Sequence, residues 1–144
     1  MSSDQNQKLA RRFFDEMCNG RKLNIAEELF TPGHVNHDPS APTGPGPDGM
    51  KQLIGSYQTA YGDAKWTVND MFAADGDRVI VLWTGSGTQS GELMGIAPTK
   101  KSVRVDGIWI FKCSNGKIVE SWNHWDTLGM LQQLGVVPML AAQK

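Results

Sequence analysis

Cysteine is scarce in this chain of 144 residues: only Cys18 and Cys113 occur, with no CxxC and no Cys/His cluster. That excludes a disulfide framework and a thiolate zinc site, and leaves two reduced, partly buried thiols. An excess of either charge is lacking too. Fourteen Lys and Arg stand against fifteen Asp and Glu, for a net charge of −1. With no basic stripe and no acidic tail, neither nucleic acid nor an anionic membrane is an expected partner. No apolar run approaches the ~18 residues that a membrane span needs. Met1 to Lys8 is polar and carries no apolar leader segment, so the cytoplasm is the expected compartment. Internal repeats and long linkers are absent. The glycines between Gly85 and Gly95 follow no GxGxxG-to-helix context, which excludes a phosphate cradle and leaves hairpin and bulge positions.

What remains is ordinary globular composition, 40% hydrophobic and 20% charged. The length suits a single domain, residues 1–144, able to bury a sizeable core without staples. Leu9, Phe13 and Met17 recur at helical spacing, widened by Ala10 and Phe14, and predict a helix from Asp4 to Asn19 stopped by Gly20. Asn24 and Glu27 have the spacing of a capping box, which predicts a short helix over Ile25–Phe30 ended by Pro32 and Gly33. His34 to Asp38 is too short to classify. Pro39 to Pro47 is too rich in proline and glycine for regular structure and reads as a long loop within the domain. Asp48 is placed to cap a third helix that carries Met50, Leu53, Ile54, Tyr57 and Tyr61.

Beyond Gly62 the period changes. Trp66–Ala74, Val79–Gln89, Val103–Lys112 and Lys117–Asp126 read as strands, punctuated by Asp75-Gly76-Asp77 and by Asn115-Gly116, a strong hairpin signal. A last helix over Thr127–Leu134 closes at Gly135. Helices followed by a run of antiparallel strands predict an α+β fold, with the helices on one face of a curved sheet and a pocket at its open end.

The last strand is the chemically unusual one. Alternation puts Ile118, Glu120, Trp122, His124 and Asp126 on one face, and Val119, Ser121, Asn123 and Trp125 on the other. A carboxyl group among indole rings and out of water is the setting enzymes use for a general base, which makes Asp126 the leading candidate, with His124 beside it. Asp126 also immediately precedes a helix and could simply cap it. The segment His34-Val-Asn36-His37-Asp38 forms a second polar cluster at the edge of the proline-rich loop, suited to a pocket mouth. Its side chains are metal-ligand types, but no second His-rich segment completes a site, so no metal is expected. Asp106 interrupts an apolar strand two residues from Arg104, as a surface pair would.

Several segments, taken in order, resemble the SnoaL-like polyketide cyclases. They are Asn36-His37-Asp38-Pro39; Gly46-Pro-Asp-Gly49; Gly87-Thr-Gln-Ser-Gly91 through Gly95 with Pro98-Thr99; Gly116-Lys-Ile-Val-Glu-Ser-Trp122 with Asp126; and Gln133-Leu-Gly135 with Pro138. The resemblance covers nearly the whole chain. It implies a cone-shaped α+β barrel of the nuclear transport factor 2-like (cystatin-like) type, a curved antiparallel sheet wrapped around the N-terminal helices. It also implies intramolecular aldol-type ring closure of a small hydrophobic carbonyl or ester compound, with no metal or organic cofactor and with an aspartate in the last-strand region as acid/base. That aspartate maps to Asp126 through Glu120-x-Trp122-x-x-x-Asp126. His37, Asn36 or His124 would donate to the enolate oxygen. Trp83, Trp109 and Trp122 would clamp the substrate, and Tyr57 and Gln89 complete the expected contacts. Gln89 stands where many members carry histidine, and Lys100 where glycine is usual.

A shared fold does not fix a reaction, and two other readings stand beside the cyclase. One is a ketosteroid-isomerase-like or dehydratase-like enzyme. The other is a non-catalytic ligand binder or dimerising accessory protein. The cyclase reading predicts a large aromatic cavity containing Asp126. Binding alone needs no poised acid, and an accessory module would have a filled interior. An open sheet face predicts a homodimer under most of these readings.

Overall fold

The computed structural model describes residues 3–139. The expected first helix is present as α1 (Ser3–Arg12), continued by a wider π-helical segment, Phe13–Asn19. Its apolar stripe is buried as its spacing predicts: Leu9, Ala10, Phe13, Phe14 and Met17 are all in the core. Phe13 is the hub, with edge-on contacts to Phe14, Phe30, Trp109 and Phe111 at ring separations of 5.0–5.7 Å. Each such pair adds to its area burial.

The second helical stretch is shorter than expected. A 3₁₀ turn, Leu23–Ile25, leads into α2 (Ala26–Leu29), and Phe30 already belongs to a strand. Neither segment has a side-chain cap, so the Asn24/Glu27 capping box does not form. The third helix, α3 (Gly46–Ala60), starts at Pro45 with Pro47 in its first turn. Proline's fixed φ and missing N–H suit a helix start, so Asp48 lies inside the first turn and is not the cap.

Five strands form one sheet in the order β1-β5-β4-β3-β2. They are β1 (Phe30–His37), β2 (Lys65–Ala74), β3 (Arg78–Thr88), β4 (Ser102–Ser114) and β5 (Lys117–Trp125). The last four pair antiparallel, and two hairpins, at Asp75-Gly76 and Asn115-Gly116, turn with both residues at positive φ. That geometry matches the twist of the flanking strands. The all-antiparallel expectation needs one correction: β1 joins the open edge of β5 in parallel. Pro32 and Gly33 do not end a helix there but sit in an irregular stretch of β1, between Phe30 and Val35, where the register shifts. The fold is the expected α+β type, a curved and unclosed sheet with helices against its inner face.

Helix α4 (Thr127–Leu134) closes the end of the sheet, and Gly135 terminates it in the left-handed conformation. Lys100 also has positive φ, at 60°, which accounts for the glycine usual at that point in the resembling sequences. Among the described residues no helix is long and apolar enough to cross a membrane.

Candidate active site

Strand β5 decides which side chains face inward, and a bulge changes the answer. Lys112 pairs with Glu120 but Cys113 pairs with Ile118, so Val119 is an extra residue on β5. A bulge shifts the side-chain alternation by one. Ile118, Ser121 and Asn123 are therefore buried together, while Glu120, Trp122 and His124 face outward. Simple alternation had grouped Ile118 with the latter set.

Two hydrogen-bonded chains cross the inner face, and each has a direction fixed by its fixed donors. In the first, the Thr43 hydroxyl donates to the Ala41 carbonyl, so its oxygen must accept from Asn36 Nδ2 at 3.4 Å. That turns Asn36 Oδ1 toward Ser121, whose hydroxyl donates to it at 2.7 Å. With its proton committed, Ser121 can only accept from His34 Nε2–H, 2.8 Å away. His34 is thus the Nε2–H tautomer, fully buried, with Nδ1 unpartnered. Burial lowers its pKa to about 4, against a smaller opposing pull from Glu120.

In the second chain the Trp83 indole, a donor only, reaches Asn123 Oδ1 at 3.3 Å. The amide nitrogen of Asn123 then donates to Asp38 Oδ2 at 3.3 Å. Oδ1 of Asp38 accepts both the Ser40 N–H (2.9 Å) and the Ser40 hydroxyl (2.5 Å). This is an Asx turn, formed where β1 runs into the proline-rich loop. The indole of Trp83 lies in a notch at Gly107: a Cβ there would come within 2.5 Å of the ring. Any larger residue would push Trp83, and through it Asn123, out of place.

Asp38 lines a cavity of about 60 Å³ between α3 and the inner face of the sheet. Trp83, Trp109 and Trp125 form aromatic walls, and Leu53, Ile54, Val103, Val105 and Met130 the aliphatic ones. Among the described residues Asp38 is the acid of this lining. Tyr57 and Tyr61 also line it, and neither hydroxyl has a hydrogen-bond partner; the same holds for the Trp109 indole nitrogen. Burial, then the nearby charge of Asp38 and Tyr61, pushes the Tyr57 hydroxyl well above the usual phenol range. Burial alone pushes Tyr61 up to about 12. Both phenols therefore remain protonated donors near neutral pH.

The sequence-predicted residues divide between the two faces. Tyr57, Trp83 and Trp109 line the cavity. Asn36 is buried in the first chain and does not reach the cavity. Gln89 spends its whole amide on its own loop: Nε2 donates to the Gly91 and Ile96 carbonyls, and Oε1 accepts from Thr99 N and Oγ1. No group is left for a substrate, which corrects its expected role. His37 lies outside, bonded to Glu120 at 2.7 Å and stacked on Trp122. Trp122 also carries Arg78 over its ring at 5.7 Å, so it clamps nothing in the cavity.

His124 and Asp126 border an open outer depression of about 610 Å³ with Asp106 and Ile108, and Trp83 and Trp125 line it as well. Asp126 is exposed and accepts the Gly129 N–H at 2.9 Å, so it is the N-cap of α4. The structure does not bring it into the cavity. Asp106 bonds the Thr84 hydroxyl at 2.6 Å and is not tied to Arg104, whose backbone is held by Gln133.

Asn123, Tyr61 and Trp125 were not singled out from the sequence. Inverting the face assignment at one bulged residue would have found two of them. Asp38 belongs to the polar segment His34–Asp38 and is among the residues that line the cavity.

Comparison with known proteins agrees with this architecture. The family profile described as SnoaL-like polyketide cyclase matches residues 8–134. IdmH from Streptomyces antibioticus is similar in structure at 28% identity, with 91% of this chain and 99% of that one covered and a TM-score of 0.75. TsrD from Streptomyces laurentii is similar at 25% identity over 95% and 99% of the two chains, with a TM-score of 0.83. A SnoaL-like protein from Jannaschia sp. CCS1, at 22% identity, covers 94% of this chain and 95% of its own, with a TM-score of 0.84, and shows the shared fold. A search of curated proteins found no match.

Proposed function

The chain belongs to the SnoaL-like polyketide cyclase family, and from that premise we propose that it catalyses cofactor-independent acid/base chemistry on a small carbonyl compound, with Asp38 moving the proton. The observation that carries this reading is the pairing, in one cavity, of a positioned carboxylate with phenol donors that lack partners. Removing a proton from carbon next to a carbonyl puts negative charge on the carbonyl oxygen. Asp38 would take that proton, and Tyr57 and Tyr61 would donate to the oxygen as its charge develops. The enolate carbon could then attack a second carbonyl of the same molecule, as a cyclase requires, or be reprotonated elsewhere, as an isomerase requires. Asn123 and the Asx turn hold Asp38 in place for either step.

The competing base is Asp126, favoured by sequence pattern, and one experiment separates the two. Deuterium exchange at the acidic C–H of a monocyclic β-keto ester is followed by NMR with the wild type, Asp38→Asn and Asp126→Asn. Asparagine at 38 keeps the Ser40 turn through its carbonyl oxygen and gives up only the contact from Asn123 Nδ2, and asparagine at 126 keeps the cap. Asp38→Asn should slow exchange by about 10²- to 10⁴-fold, and Asp126→Asn by less than about threefold. The reverse order would move the chemistry to the other face of the sheet.

We also propose that this other face pairs two copies of the chain. Phe72, Ile80, Ile110 and Trp122 lie in one cross-strand row, with Leu82 and Ile108 beside it. Phe72 is 43% and Ile108 45% exposed. Arg78 and Lys112 flank this apolar band at one end, and Asp70, Asp106 and Asp126 at the other. A two-fold axis through the band lays the basic end on the acidic end. Sedimentation should give a dimer, and Ile108→Lys a monomer.

A further inference from the structure

We infer that Trp83 is a positioning residue for Asp38, acting through Asn123, and that Oδ2 of Asp38 is the oxygen that moves the proton; this rests on the proposed acid/base reading and adds to it a residue and an atom. The two oxygens of Asp38 are not equivalent. Oδ1 accepts both the N–H and the hydroxyl of Ser40, which takes up its two lone pairs. Among the described residues Oδ2 accepts from Asn123 Nδ2 alone. It keeps one lone pair, and the direction of that lone pair depends on where Asn123 lies.

Asn123 has little freedom of its own. It is buried, and its carbonyl oxygen accepts from the Trp83 indole. A flipped amide would set NH₂ against the indole N–H at one end and carbonyl against carboxylate at the other, so both ends fix the same orientation. The indole in turn is held by its ring. Trp83, Gly107 and Trp125 form one cross-strand row of β3, β4 and β5. A Cβ at Gly107 would come within 2.5 Å of the ring, and one at Gly85 within 3.0 Å. Two glycines thus make the seat, and Trp109 and Trp125 close it with ring centroids 6.1 and 6.5 Å away. A ring seated this way aims its N–H in one direction.

Trp109 gives the contrast. Its ring lines the same cavity, but its indole nitrogen has no partner. A wall needs only an aromatic face, which phenylalanine also supplies. The N–H of Trp83 is committed to Asn123, so what tryptophan adds at this position is the aim of Asp38.

The test is deuterium exchange at the acidic C–H of the monocyclic β-keto ester, with kcat and KM measured separately for Trp83→Phe, Asn123→Ala and the double variant. Trp83→Phe should lower kcat by about 10- to 100-fold and leave KM within about twofold. In the Asn123→Ala background the same change should alter kcat by less than about twofold, because the two residues act in series. A raised KM with kcat unchanged would make Trp83 a substrate wall and overturn the inference. Equal kcat losses with and without Asn123 would overturn it too. Should Trp83→Phe not fold, the Trp83 indole N–H is followed by ¹⁵N NMR in Asp38→Asn, which gives up the Asn123 contact. Its resonance should move; an unmoved resonance would break the connection between the two residues. Asp38→Asn exchanging at the wild-type rate would instead overturn the acid/base reading, an outcome read without any Trp83 variant.

Discussion

The inner and outer faces of the sheet carry the same kinds of side chain and use them differently. Inside are a histidine (His34), tryptophans (Trp83, Trp109) and an acid (Asp38) at the edge of the cavity. Outside are His37 and His124, Trp122, Glu120 and Asp126. On the inner face most donors and acceptors have one assigned partner; of those left over, the Tyr57, Tyr61 and Trp109 groups line the cavity and His34 Nδ1 does not. On the outer face the same groups meet solvent or one another: His37 bonds Glu120, Arg78 covers Trp122, and Asp126 caps a helix. Residue type therefore does not distinguish a site from a surface here. What distinguishes them is whether the geometry leaves a buried group without a partner.

This contrast can be broken by measurement. The largest difference should come from the tryptophans. Trp109→Ala removes a fully buried ring stacked on Phe111 and edged by Phe13, and should cost about 3–5 kcal/mol in urea unfolding. Trp122→Ala should cost about 1 kcal/mol in the monomer. Equal costs would mean that the outer face is as covered as the core.

The histidines should differ next, through pH. The folded His34 value, about 4, lies below its ordinary 6.5, so below pH 6.5 the unfolded chain binds the extra proton first. Its contribution is complete above pH 6.5 and is lost as pH falls from 6.5 to 4, by about 3 kcal/mol in all. Denaturation midpoints should show this slope in the wild type and lose it in His34→Gln.

Third, Ser121→Ala strands His34 Nε2–H and Asn36 Oδ1 together, and should cost about 2 kcal/mol. Last, Asp126→Ala on the outer side should cost about 1 kcal/mol by thermal melting, and Asp126→Asn only a few tenths, as befits a cap.

Much of the fold was legible because local chemistry dictates it. The antiparallel strands and their turns follow from alternation and from Asp75-Gly76 and Asn115-Gly116, where few other residues tolerate both positive φ angles. The buried stripe of α1 follows from its spacing. Strand β1 was not legible, because its pairing depends on a segment far along the chain and its interior holds Pro32 and Gly33, which locally read as a stop. The site suffered from one residue. Val119 carries no signal of a bulge, yet that bulge turns Ser121 and Asn123 inward and leaves His124 and Asp126 outside. Trp83, Trp109 and Tyr57 line the cavity because large aromatic groups on those elements have nowhere else to go.

The parallel pairing of β1 with β5 has a consequence for the order in which this protein comes together. Ser121 to Asn36, and Asn123 to Asp38, are each bonds across 85 residues of chain. Strands β2 to β5 can zip through two tight hairpins and one connection of thirteen residues between β3 and β4, whereas joining β1 closes one very large loop at an entropic cost met in a single step. Until then Asp38 has its own turn but no Asn123, and the buried His34 chain has no Ser121. The carboxylate is thus among the last groups of the molecule to be set in place, and competence to react should appear in refolding only after the hairpins are already protected from exchange.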